Sequence, residues 1–256
     1  MNSSNSDCVI QIQQVKTRLG DRWVHKDVNL EILKGETMLV IGGSGSGKSV
    51  LFKNIVGLLK PNDGSIRIDG VDITKISDRQ MDQVRKKFGV LFQGAALFDS
   101  LTVQENVAFV LKRETDLSDK AIRDVVRDKL AQVGLFGVEE MMPSELSGGM
   151  QKRVGLARAI AMNPEIILYD EPTTGLDPIT ADVINDLILQ LQEELKVTSL
   201  VVTHDMVSAF KVGDRMALLN DGRIIAVGTP DEMRESEDPY VRQFIAGTSE
   251  GPMFFE

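Results

Sequence analysis

A chain of 256 residues, 42% of them hydrophobic, can bury a sizeable core, and its length suits one domain with an inserted subdomain. A formal net charge of -9 argues against a protein that tracks nucleic-acid phosphates. One cysteine, Cys8, allows no internal disulfide, and neither an apolar leader nor a run near the ~20 apolar residues of a bilayer span is visible, so any membrane role is expected to come through other chains.

Residues 9–15 and 28–32 alternate like strands, and 38–41 form an apolar run expected as a buried strand. That run ends in Gly42-Gly43-Ser44-Gly45-Ser46-Gly47, after which 48–59 carry helical periodicity up to Lys60-Pro61. Residues 65–68 and 89–92 read as further strands. From 94 to about 162 the pattern turns helical. Thr102 and Glu105 have capping-box spacing, Ser118 can cap a helix with Ile122, Val125, Val126, Leu130 and Val133 in one stripe, and a third helix follows Ser147-Gly148-Gly149. Strands at 166–169 and 199–202 then alternate with a helix over 180–195. Segments 216–219 and 223–227 flank Asn220-Asp221-Gly222, a hairpin signal, and Thr229-Pro230-Asp231-Glu232 opens a helix. This alternation predicts an α/β fold whose mostly parallel sheet is covered on both faces, with a β-rich N-terminal part and an inserted helical subdomain.

Gly42, Gly43, Ser44, Gly45, Ser46, Gly47, Lys48 and Ser49, followed by Val50, fit G-x-x-x-x-G-K-[ST] between a strand and a helix. Glycines let successive N–H groups curl around phosphate oxygens, the helix N-terminus adds positive dipole, Lys48 supplies charge to the β- and γ-phosphates, and the Ser49 hydroxyl can ligate Mg²⁺. The apolar strand 166–169 ends in Asp170-Glu171. At the carboxyl end of a parallel strand, Asp170 can hold Mg²⁺ and Glu171 can deprotonate an attacking water. His204 follows another such strand and can contact a γ-phosphate, although a lone strand-end histidine is more often structural.

Nearly the whole chain resembles an ATP-binding subunit of the ABC transporters. Leu146-Ser147-Gly148-Gly149-Met150-Gln151 resembles the signature motif, Gln93 the Q-loop, Thr174-Gly175-Leu176-Asp177 the D-loop and His204 the switch histidine, in the family's order. The resemblance implies a P-loop NTPase of the ABC type spanning 1–256. Its core would be 1–93 and 163–247, its helical subdomain about 94–162, and its C-terminal tail 248–256. It implies ATP and Mg²⁺ as cofactors, with Ser49, Gln93 and Asp170 toward the metal and Glu171, His204 and Gln93 in hydrolysis. Ser147, Gly148 and Gly149 would face the nucleotide of a second copy of the chain, and Asp177 would cross that C₂ interface. The family usually stacks an aromatic ring on adenine; the aligned position here is Leu19, which is expected to pack on the base more weakly than a ring would, with Trp23 the nearest aromatic.

The stretch from Gln93 to Val103, the Lys48-Ser49-Val50-Leu51 start, and the segment from Asp238 to Pro252 resemble ATPases of the Mla type, associated with MCE proteins. That resemblance implies phospholipid transport across a Gram-negative envelope from the cytoplasmic face of the inner membrane. The implied partners are a multi-spanning permease, an MCE-domain protein and a small STAS-domain protein, with no nucleic acid. Another ABC importer or exporter with a different small-molecule cargo is the alternative. Ala96, Leu97 and Phe98 are expected to dock a permease helix, and Phe254 and Phe255 to reach the second copy.

Overall fold

A computed structural model describes residues 7–253, which divide into two compact units, 7–85 with 198–253, and Lys86–Val197. In the first unit, β1 (Cys8–Leu19) and β2 (Arg22–Leu33) form an antiparallel hairpin that turns at Gly20, whose φ is 58°. The chain continues through β3 (Thr37–Ile41), α1 (Lys48–Ile55), β4 (Asp63–Ile68), the short β5 (Val71–Asp72) and α2 (Asp78–Arg85). The second unit contains β6 (Phe88–Leu91), α3 (Val103–Glu114), α4 (Asp119–Gln132), a 3-10 turn at Pro143–Glu145, α5 (Gly148–Ala159), β7 (Ile166–Asp170) and α6 (Pro178–Leu195). The first unit then resumes with β8 (Thr198–Thr203), α7 (Met206–Val212), β9 (Arg215–Asn220), β10 (Arg223–Gly228), α8 (Pro230–Glu235) and α9 (Pro239–Ala246).

The strand order in the first unit is β5-β4-β1-β2-β10-β9-β3-β8. Parallel β9, β3 and β8 form one end, and the antiparallel β1, β2 and β4 the other. Every residue of β3 and of β8 is buried, which is why 38–41 and 200–202 read as apolar runs without alternation. β9 and β10 turn through Asp221 at φ 44° and Gly222 at φ 73°, the pair of positive dihedrals that an Asp-Gly hairpin turn supplies. In the second unit β6 and β7 pair in parallel.

The expected caps are present. Thr102 and Glu105 close a reciprocal capping box on α3, Ser118 accepts from the Ala121 amide on α4, and Thr229 with Glu232 boxes α8 behind Pro230. Ile122, Val126, Leu130 and Val133 are buried as one stripe of α4, with Val125 half-buried at its margin.

The chain returns on itself after α9. Gly247 ends the helix at φ 64°, and the buried amide of Gln243 bonds both the N–H of Met253, at 2.7 Å, and its carbonyl, at 3.1 Å. A Cβ on Gly251 would sit 2.4 Å from the Gln243 side chain, so glycine is what lets the returning chain pass. Met253 is thereby buried on its own chain, and Phe254 and Phe255 lie outside the described residues.

Candidate functional site

The phosphate loop leaves β3 and enters α1. A Cβ on Gly42 would approach the Leu219 carbonyl to 2.4 Å, and Gly45 and Gly47 have φ of 74° and 107°. These are backbone requirements that side chains would break, so the glycines shape the loop. The Lys48 ammonium donates to the Gly42 carbonyl at 2.7 Å and the Gly43 carbonyl at 3.1 Å. It is held over the loop, where phosphate oxygens would be stronger, charged acceptors. Gly47 offers α1 no side-chain cap, and the positive end of the helix meets the loop there, a setting that favours an anion. Ser49 and Val50 follow in the first turn of α1.

His25 is fully buried behind the loop, its Nε2 3.1 Å from the Gly47 carbonyl. Burial pushes its pKa below the ordinary 6.5, against the opposing effect of the Gly47 bond. An unfolded histidine takes up its proton near 6.5 and the folded one only at lower pH. The unfolded chain therefore binds the extra proton first, and stability falls as pH drops through that window. Thermal melts between about pH 7 and about pH 5.5 are expected to show a steeper loss for the native chain than for His25→Leu. Equal slopes would assign the effect to other groups.

A cavity of about 760 Å³ opens beside the loop residues Gly43 to Ser46, lined also by Trp23, Lys26, Tyr240 and Met253. Leu19, the position aligned with the base-stacking aromatic, is not among the lining residues; it ends β1 opposite Arg22 and is exposed. Trp23 instead presents a ring to the cavity, with the Arg18 guanidinium 6.0 Å from its centroid. His204 follows β8 at the surface, and Asp205 beside it caps α7 by accepting from Val207 and Ser208.

In the second unit, β7 is buried throughout and delivers Asp170 and Glu171, 9% and 7% exposed, to its carboxyl end. Glu171 has φ 49°, and its Oε2 accepts from the Thr174 hydroxyl at 3.2 Å. Gln93 follows β6 with its side chain exposed. Ser147 caps α5 by accepting from the Met150 amide, and both Ser147 and Gly148 are exposed, so the positive end of a 12-residue helix faces outward. A Cβ on Gly149 would meet the Thr180 methyl at 2.4 Å, which ties the glycine to close packing with α6. Asp177 caps α6, accepting from Ile179, Thr180 and the Thr180 hydroxyl, and these bonds hold its carboxyl below the usual carboxylate range. Phe98 is exposed and packs on Phe109 with ring centroids 4.7 Å apart, beside a cavity of about 360 Å³ lined by Leu101, Glu105 and Phe109. Among the described residues no helix is long and apolar enough to cross a membrane.

Residues 25–174 match the family described as ABC transporter. The chain is 43% identical to the intermembrane phospholipid transport system ATP-binding protein MlaF of Haemophilus influenzae, over 97% of this chain and 94% of that protein. It is 42% identical to the probable ribonucleotide transport ATP-binding protein mkl of Mycobacterium leprae, over 95% of this chain and 70% of that one. Among solved structures it is similar to the dimeric, post-hydrolysis ATP-binding cassette MJ0796 bound to ADP and Pi, at 35% identity and a TM-score of 0.79, over 86% of this chain and 98% of that one. A P-loop shaped by its glycines, a strand ending in Asp170-Glu171 and a glycine-started helix behind Ser147 are thus carried by a sequence alike over nearly its full length, and the chain belongs to the ABC transporter family, among its Mla-type ATP-binding proteins.

Proposed function

We propose that the chain is the ATP-hydrolysing motor of a transporter that moves phospholipids between the membranes of a Gram-negative envelope. The observation that carries this reading is its near-full-length similarity to MlaF, whose name states that cargo. The mycobacterial relatives named for ribonucleotide transport favour a second reading, the same motor with a different cargo.

In this reading residues 42–50 cradle the triphosphate of ATP, with Lys48 turning from the loop carbonyls to the β- and γ-phosphates. Ser49, Gln93 and Asp170 offer oxygen donors alone, the donor chemistry that suits Mg²⁺. When bound, Mg²⁺ neutralises charge on the β- and γ-oxygens. Glu171 takes the proton of the attacking water, and His204 contacts the γ-phosphate. The outward α5 N-terminus serves the nucleotide of a second copy, with Asp177 at the same interface; the similar MJ0796 cassette is a dimer in its solved structure. Trp23 supplies the ring for the base in place of Leu19, supported by its place on the 760 Å³ cavity. The exposed Phe98–Phe109 pair offers an apolar surface to a permease helix, and the chain works at the cytoplasmic face of the inner membrane with a permease, an MCE-domain protein and a STAS-domain protein.

The test is transfer by the complete transporter, purified through this chain and reconstituted in vesicles. ATP-dependent movement of a fluorescent phospholipid to acceptor vesicles is expected, and it should vanish with Lys48→Ala. Phosphate release that proceeds with no lipid movement, but with ribonucleotide accumulation, would support the second reading.

A further inference from the structure

Lys152 is a cation in a buried place. It lies on α5, the helix that starts behind Ser147, and is 5% exposed. Its ammonium donates to the main-chain carbonyl of Glu171 at 3.2 Å and, more closely, to that of Gln93. Burial lowers its pKa while the charges of Asp170 and Glu171 oppose that shift. A buried cation needs hydrogen bonds and opposite charge nearby, and Lys152 has two main-chain carbonyls as acceptors and the attraction of Asp170 and Glu171, all from the segments expected to carry hydrolysis.

The two segments it joins have unusual backbones. Glu171 sits at φ 49°, a region an L-residue with a long side chain enters at a cost. Such a conformation persists where the surroundings over-determine it. The Glu171 carbonyl accepts from Lys152 and from the Thr174 amide at 3.3 Å, and its carboxylate accepts from the Thr174 hydroxyl. Beyond Gln93, Ala95 and Ala96 also have positive φ, 58° and 48°, and each of their carbonyls accepts from Arg158 at 2.6 Å. Lys152, Gly155 and Arg158 share one face of α5 at steps of three. A Cβ on Gly155 would come within 2.9 Å of the Leu91 side chain, so the helix lies directly against the chain that leads into Gln93.

We propose that Lys152 is a positioning residue for hydrolysis. From the helix that begins at Ser147 it fixes the main chain of Gln93 and of Glu171 together, and so aims the Glu171 carboxylate. This rests on the reading of Glu171 as the base. A lysine kept only for packing would affect stability; one that aims a base affects turnover.

Lys152→Met keeps the length and apolar packing of the stem but has no donor, and Lys152→Gln keeps a donor. In the full chain, Lys152→Met is expected to lower kcat about tenfold or more, since small misplacements of reacting groups have effects of that order. KM for ATP and the melting temperature should stay close to native, and Lys152→Gln should recover part of kcat. In a Glu171→Gln background, read by single-turnover hydrolysis, Lys152→Met should add no further loss, because the group it aims is gone. Should Lys152→Met fail to fold, Lys152→Gln in the two backgrounds carries the same comparison. An equal fold-loss in both backgrounds would overturn the role, as would unchanged kcat, or a kcat loss that tracks a lowered melting temperature. Native turnover by Glu171→Gln itself would remove the base assignment, and this proposal with it.

Discussion

Replacing Glu171 with glutamine is expected to lower ATP turnover by a factor of about 10² or more while leaving ATP binding intact. The substitution changes little in shape. Glu171 is buried at the end of β7, and an amide oxygen can still accept from the Thr174 hydroxyl, so the φ 49° backbone should persist. What is lost is the negative charge and the capacity to take a proton from water. The phosphate loop, with Lys48 over Gly42 and Gly43, is a separate set of groups and should bind nucleotide as before. Binding and turnover should therefore part company in this variant, whereas Lys48→Ala should weaken binding itself by removing charge from the cradle. Equilibrium binding of a fluorescent ATP analogue, set beside phosphate release, separates the two. Turnover within a few-fold of native in Glu171→Gln would take the residue out of the role of base.

Much of the scaffold was legible because local signals agreed with the fold. β3, β7 and β8 read as apolar runs and are buried on every residue. The caps at Thr102, Ser118 and Thr229 and the Asp221-Gly222 turn are short-range chemistry, visible in a few residues. Other elements gave weak signals. α2 buries only Met81 and Val84 among eight residues, too few apolar positions to mark a period. β1 and β2 run further than their alternation suggested because register shifts interrupt the pattern after Ile12. The helix expected over 48–59 ends at Ile55, with the positive φ of Gly57 soon after.

The site shows the same division. Its motifs were readable because phosphate chemistry demands particular residues at particular spacings. Three of its features were not. Trp23 and Leu19 stand four apart across a hairpin turn, and only the strand register decides which of them lines the cavity. His25 belongs to a strand whose burial behind Gly47 no local pattern announces. Lys152 is a charged residue within a helix, and nothing in its neighbours in sequence marks it as buried. Its burial depends on carbonyls 59 and 19 positions away, so long-range contact alone reveals it.

The second large effect expected concerns which subunit completes each site. If the α5 N-terminus of one copy serves the nucleotide held by the loop of the other, two lesions should behave differently according to where they are placed. Lys48→Ala disables the loop of its own copy. Ser147→Arg puts a bulky side chain at the exposed helix start, where Ser147 caps α5 and Gly148 leaves the approach open, and so disables the site of the other copy. With both lesions on one copy, one site lacks its lysine and the other lacks its helix start, so neither is whole. With one lesion on each copy, both fall on the same site and the other stays whole, which would retain up to about half of the activity if the two sites act independently. Sites built from a single copy give the opposite order, because then the doubly altered copy leaves its mate untouched. Dimers purified through two different tags, assayed for phosphate release at equal protein, therefore distinguish the arrangements by the sign of one difference: more activity with the lesions separated supports shared sites, and more activity with them together, or no difference, counts against them.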